Sequence, residues 1–224
     1  AGHAGEAEII LVGARKWEDG AIVAKTRASI FAQDVVALGG RFRERGFGGV
    51  AWEGEISPFT IWGELGLFER KPVEEHFFGG WKKAAFSGIA GAEISAFHDI
   101  RTGFALMHQD FGVRDPKDLY LAYAGAPVRE GWVFLGSSSY ALFTANRKLH
   151  PLATANLSGL ANLVDGSTLW QPQVTFSVSD NSDLSVYGWI GTGAGPRSSG
   201  LFAIPRSEFG LAPDGAGMYC RWFF

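Results

Sequence analysis

Cysteine is nearly absent from the 224 residues: Cys220 stands alone, which excludes an internal disulfide framework and any cysteine-based metal cluster. Its apolar surroundings mark a buried or lipid-facing thiol rather than a reactive one. Long apolar runs are lacking too, since no stretch approaches the roughly 18 uncharged residues that a membrane-crossing helix needs. Charge of one sign is scarce. The formal net charge is −3 and no run of Lys or Arg occurs, so the footprint of a nucleic-acid partner is missing. The five His residues show no His-Glu-x-x-His spacing, and Gly191-Thr192-Gly193-Ala194-Gly195 lacks the Lys-Ser/Thr of a phosphate loop. No cofactor or metal is expected, and the chain does not read as an enzyme. No basic segment with an apolar core follows Ala1, so a mature form or the later part of a longer precursor is expected.

What the sequence does have is alternation with period two, the mark of half-buried strands. Val174, Phe176 and Val178 alternate with Gln173, Thr175, Ser177 and Ser179. Ile61, Gly63, Leu65 and Leu67 alternate with Thr60, Trp62, Glu64 and Gly66, and Val50, Trp52, Gly54 and Ile56 with Ala51, Glu53 and Glu55. In 22–30, Ile22, Ala24, Ala28 and Ile30 stand against Lys25, Arg27 and Ser29. Each such segment has one apolar face and one small, polar or charged face.

Breakers sort the connections. Short ones fall at 17–20, Ile56-Ser57-Pro58, His98-Asp99, His150-Pro151 and 179–183, and longer ones at about 32–46, 70–84, 112–130 and 191–214. Val164-Asp165-Gly166-Ser167 is a short exception among the longer set. Short turns alternating with longer loops is the pattern of an outer-membrane barrel. Strands are expected near 6–16, 20–31, 47–56, 59–69, 86–97, 101–111, 132–149, 153–163, 168–179, 183–191 and 215–224. Bacterial single-chain barrels use even counts. Either 34–44 is a further strand, giving about twelve, or the chain is the C-terminal part of a larger barrel. The expected fold is therefore an all-β, antiparallel, up-and-down transmembrane β-barrel, with 1–224 as one domain.

The last residues carry the sharpest motif. Met218, Cys220, Trp222 and Phe224 share one face, opposite Tyr219, Arg221 and Phe223. A terminal Phe with an aromatic two residues before it resembles the C-terminal signature of outer-membrane β-barrels. That resemblance implies a final strand that closes the barrel and is read by the barrel-assembly machinery. The stretch from about 131 to 224 is also similar to a family of uncharacterised deltaproteobacterial outer-membrane proteins. That likeness rests on Lys148-Leu149-His150-Pro151-Leu152, Asn162-Leu163-Val164-Asp165-Gly166-Ser167, Ser179-Asp180-Asn181-Ser182-Asp183-Leu184 and Ser207-Glu208-Phe209-Gly210. These motifs are mostly turns, and they imply topology rather than chemistry.

If the apolar faces meet outer-membrane lipid, Lys25, Arg27, Glu53, Glu55, Glu64, Glu93 and Arg221 line an enclosed interior, with Asn156, Gln173 and Lys148 beside them. A mixed-sign interior suits two readings: a pore for small hydrophilic solutes, or a filled, non-conducting barrel that anchors partners. Trp62, Tyr187 and Trp189 fall on the same inner faces and are expected to fill space. A third reading, a surface hydrolase, would need an oriented base in an accessible pocket. His108 with Asp110 is its better candidate, while His98-Asp99 lies at the short-turn end. His76 in Glu74-Glu75-His76 reads as a solvated acidic loop. The expected function is porin-like diffusion across the bacterial outer membrane, with the scaffold barrel as the alternative.

Overall fold

The computed structural model describes residues 6–12, 21–30, 33–42, 45–69, 84–96, 99–125, 128, 131, 133–199 and 202–223. They form an all-β molecule built on one twelve-stranded antiparallel sheet. Its strands are β1 (Glu6–Val12), β2 (Ala21–Ile30), β3 (Gln33–Phe42), β4 (Arg45–Ile56), β5 (Phe59–Glu69) and β6 (Ala84–Ala96). They continue with β7 (Ile100–Gln109), β8 (Ser139–His150), β9 (Ala153–Asn162), β10 (Thr168–Ser179) and β11 (Ser182–Thr192), and end with β14 (Gly215–Trp222). Each pairs with the next in the chain. The one departure is β11, which pairs with β14 across a segment holding the small hairpin of β12 (Arg197–Ser199) and β13 (Phe202–Ile204).

Three expectations change. Of the two readings of 32–46, the further strand near 34–44 is the one present: β3 spans Gln33–Phe42 and supplies the twelfth strand in place of a long loop. Gly39-Gly40 and the polar ends Gln33, Asp34 and Arg41 disguise it as a connection. The expected strand at 132–149 begins only at Ser139, since residues 133–138 join a cap described below. The connection after β7 also contains a short helix, α1 (Leu119–Ala124), preceded by one turn of 3-10 helix at Pro116–Asp118.

With β3 in place the sorting of connections is complete. At one edge β2–β3, β4–β5, β6–β7, β8–β9 and β10–β11 are joined by two or three residues each. At the other edge lie 13–20, 70–83, 110–138 and 193–214, together with the shorter 43–44 and 163–167. We call these the short-turn edge and the long-connection edge. Residues 17–20, expected among the short turns, lie outside the described residues, as do 70–83.

Directly paired residues of antiparallel strands share a face, so the register sorts the sheet. One face carries Ile22, Val35, Val50, Ile61, Leu65, Phe104, Leu106, Phe143, Val174, Phe176, Val186, Met218 and Trp222. Within the strands, among described side chains, charge reaches this face at Arg41, Glu69 and Arg147, each within four residues of a strand end. Aromatic rings on both faces lie over directly paired glycines: Trp52 over Gly63, Trp170 over Gly159, Trp62 over Gly91 and Trp189 over Gly215. A Cβ on Gly159 would stand 2.5 Å from the Trp170 ring, so the absent side chain is what lets the indole lie flat.

The apolar face is bare. Phe104 is 54% exposed, Leu106 52%, Met218 74% and Trp222 65%. No strand makes a substantial contact with any strand other than its ladder neighbours, so no second sheet covers this face among the described residues. Buried apolar side chains collect instead at the long-connection edge. Phe111 and Val133 pack on Ala85 and Phe68, and Val113 packs with Leu119 and Ala122.

Candidate functional site: the polar face and its cap

The face opposite the apolar one holds Lys25, Arg27, Glu53, Glu55, Glu64, Glu93 and Arg221, all seven residues that the sequence singled out as pore-lining. Asn156, Gln173, Lys148, Trp62, Tyr187 and Trp189 share it. The register adds Asp34, Arg101 and Asp183, whose roles sequence reasoning missed because each depends on which strand lies alongside.

Charge is unevenly spread over this face. Strands β2–β7 bring five carboxylates (Asp34, Glu53, Glu55, Glu64, Glu93) and three cations (Lys25, Arg27, Arg101) onto it, Asp34, Glu55 and Arg101 lying next to the short-turn edge. Arg27 Nη2 meets Asp34 Oδ2 at 2.5 Å, Ser29 donates to the same carboxylate, and Arg101 Nε meets Glu93 Oε2 at 3.0 Å. Both pairs are solvated, so each contributes under about 1 kcal/mol to stability. Their effect is the field they set up. The β8–β14 half is held mainly by neutral hydrogen bonds: Asn146 donates to Asn156, Thr175 and Ser185 share a bond of 2.8 Å, and Gln173 donates to Tyr219. Arg221 and Asp183, 3.6 Å apart, close the series near the short-turn edge.

Two hollows open on the charged half. One of about 400 Å³ is lined by Arg27, Asp34, Glu53, Trp62, Glu64 and Glu93. A second of about 460 Å³, nearer the long-connection edge, is lined mainly by Leu38, Phe47, Phe68, Ile89 and Met107. They share Ala51 and Glu64, so the polar hollow runs into an apolar one.

Described residues of the segments 111–138 and 193–214 meet this same face at the long-connection edge and are tied together by one buried carboxylate. Glu208 is 8% exposed. Its Oε1 accepts from Tyr123 Oη at 2.9 Å and from the Gly136 N–H at 2.7 Å, and its Oε2 from Tyr140 Oη at 2.5 Å and Asn162 Nδ2 at 2.8 Å. Taking a carboxylate out of water costs several kcal/mol, and charge-assisted donors on both oxygens are what offset it. The Glu208 N–H donates to Asp165 Oδ2 at 2.6 Å, and Asp165 also accepts from Ser167, which anchors the cap to the β9–β10 connection. Gln109 completes the seam by donating to the Leu135 and Ser137 carbonyls. Burial, with the charge of Glu208 beside it, holds the Tyr123 phenol above its ordinary pKa of 10.0. Arg45, 1% exposed, donates to the Glu69 carbonyl beneath Phe111.

The remaining candidates separate. His108 and Asp110 are brought together at the long-connection edge, on the apolar face. His76, Glu74, Glu75, His98 and Phe224 lie outside the described residues. Met218, Cys220 and Trp222 stand exposed on the apolar face. Among the described residues no cluster of three or more His, Cys, Asp or Glu has metal-binding geometry. Comparison with known proteins finds no family model and no curated protein that matches this chain.

Proposed function

We propose that the chain is a transmembrane β-barrel of the bacterial outer membrane that passes small hydrophilic solutes along its polar face. The observation that carries this reading is the sorting of charge: a bare apolar face charged only near strand ends, backed by a face rich in carboxylates and cations. Placing Arg or Lys at mid-depth in lipid costs about 2–4 kcal/mol, which selects this arrangement. Strands β2–β11 run 10–13 residues, enough to cross a bilayer when tilted, for which about 9–11 suffice. Short turns at one edge and long connections at the other match periplasmic and outer rims. Phe59, Phe176 and Trp222 lie toward the short-turn edge, where an aromatic girdle sits. The proposal includes closure of β1 on β14, because open strand edges leave N–H and C=O groups unsatisfied in hydrocarbon. It also assigns Met218, Cys220, Trp222 and Phe224 to recognition by the assembly machinery.

Heat-modifiable gel mobility and planar-bilayer conductance test the reading together. A folded barrel with ohmic single-channel current supports it, and a chain that stays water-soluble without detergent refutes it. A second reading, a closed barrel that anchors partners, is favoured by the Glu208 cap over the polar face. A folded barrel that carries no current selects that reading instead.

A further inference from the structure

We infer that Ser139, His108 and Asp110 form a serine-hydrolase site at the long-connection rim, on the apolar face, for the acyl esters of phosphate-bearing amphiphiles. Ser139 and His108 are direct partners in the β7–β8 ladder. Ser139 Oγ lies 3.0 Å from His108 Nδ1, and on the opposite side of the ring His108 Nε2 lies 3.5 Å from Asp110 Oδ1. A hydroxyl in hydrogen-bond reach of one ring nitrogen and a carboxylate at ion-pair distance from the other are thus in series, the order of groups that acyl transfer uses. The carboxylate side favours the tautomer protonated at Nε2, leaving Nδ1 free to accept the hydroxyl proton.

The three groups are held, not merely adjacent. Asp110 is 12% exposed, and its second oxygen accepts the Phe86 N–H at 3.0 Å. The Phe86 ring stacks beside the imidazole, with centroids 6.4 Å apart. The backbone flanking Ser139 is pinned on both sides: Gln109 N–H donates to the Ser138 carbonyl, Leu163 N–H donates to the Ser139 carbonyl, and Tyr140 is bonded to Glu208. The cap on the polar face therefore fixes the nucleophile on the other one.

Surroundings define the substrate class. His108 is 41% exposed, and the space over Gly88, its ladder partner on β6, is taken by the Phe86 ring and the Leu65 side chain, so apolar groups flank the imidazole on that side. Leu106, Phe104 and Phe143 continue the same face away from the rim and offer an apolar track for an acyl chain. Arg114, 63% exposed and 3.7 Å from Asp110, places a cation at the rim for a phosphate headgroup. In the reaction, Ser139 Oγ attacks the ester carbonyl carbon while Nδ1 takes its proton. The carbon–oxygen bond to the alcohol breaks, and the alcohol leaves with that proton. Water, deprotonated at the same nitrogen, then attacks the acyl-serine; the bond to Ser139 Oγ breaks, Oγ takes the proton back from Nδ1, and the carboxylic acid is released.

This site rests on the apolar face meeting lipid, and the test separates the two. Protein refolded in non-ionic detergent is checked for heat-modifiable mobility, then assayed for fatty-acid release from phospholipid in mixed micelles and for labelling by a fluorophosphonate. The expected results are turnover by the parent chain, label on the peptide containing Ser139, and loss of about 10³-fold or more in Ser139→Ala. His108→Ala should abolish labelling. Asp110→Asn, a change at a positioning residue, should lower kcat with little change in KM. A chain that stays soluble refutes the barrel and the site with it. A folded barrel that releases no fatty acid above the detergent blank, or whose Ser139→Ala form retains activity, overturns the site alone. Hydrolysis confined to short water-soluble esters overturns the lipid assignment.

Discussion

Glu208→Ala is the perturbation with the clearest structural ledger. It removes the acceptor of four donors, of which the Tyr140 hydroxyl, the Asn162 amide and the Gly136 N–H are buried, while Tyr123 is half exposed. A buried donor left without a partner costs about 1–3 kcal/mol, and removing the buried charge returns part of that sum. Water reaching Tyr123 relieves its share. The expected loss is about 3 kcal/mol in the local stability of the cap, since three donors remain stranded at about 1 kcal/mol each. A loss of that size raises the open population about 100-fold, because 1.4 kcal/mol is a factor of ten. Hydrogen exchange read peptide by peptide on the refolded protein should show that acceleration in 110–138 and 205–212, with β4–β5 unchanged. Acceleration under about threefold, or spread evenly over the sheet, would refute the idea that this carboxylate ties the cap down. Tyr140→Phe should cost less alone, and the two changes should be strongly non-additive because they share one bond.

Three further outcomes follow from the same geometry. Leu106→Arg, mid-strand on the apolar face, should lose about 2–4 kcal/mol in urea unfolding from lipid vesicles, whereas Ser158→Arg on the polar face should lose far less. Gly159→Leu drives a side chain into the Trp170 ring and should cost about 1–3 kcal/mol in the same assay. For pH, the Tyr123 phenol has its pKa raised in the folded cap, so its contribution is complete below about pH 10 and is lost as pH rises further. Ultraviolet phenolate titration of the parent chain and Tyr123→Phe should therefore differ only above that value, and a difference near neutrality contradicts the burial of this hydroxyl.

The division of faces was legible in the sequence because a strand reports its own two sides by alternation. Trp52 against Glu53, and Ile61 against Trp62, need no partner to be read. Strand β3 was harder, since two glycines and polar ends imitate a loop, and only the even count argued for it. Residues Val133 to Leu135 misled for the opposite reason: three apolar residues in a row look like strand, yet Val133 serves the cap cluster and Phe134 is 84% exposed. The cap's residues showed only as turn motifs, at 162–167 and 207–210, and nothing marked them as partners. Glu208 meets Tyr140 and Asn162 across 68 and 46 residues of chain, and no local spacing encodes such a meeting. Likewise His108 and Asp110 stood out as neighbours, while Ser139 became visible only once the β7–β8 register placed it opposite the imidazole.

Spin-label accessibility along β7, β9 and β11 in lipid vesicles tests the central assignment most directly. Labels at Phe104, Leu157 and Val186 should collide with membrane-dissolved oxygen, and labels at Gly103, Asn156 and Tyr187 with water-soluble nickel complex, alternating residue by residue. Equal access of the nickel complex to both sets would mean that the apolar face never meets hydrocarbon, and the account would fall.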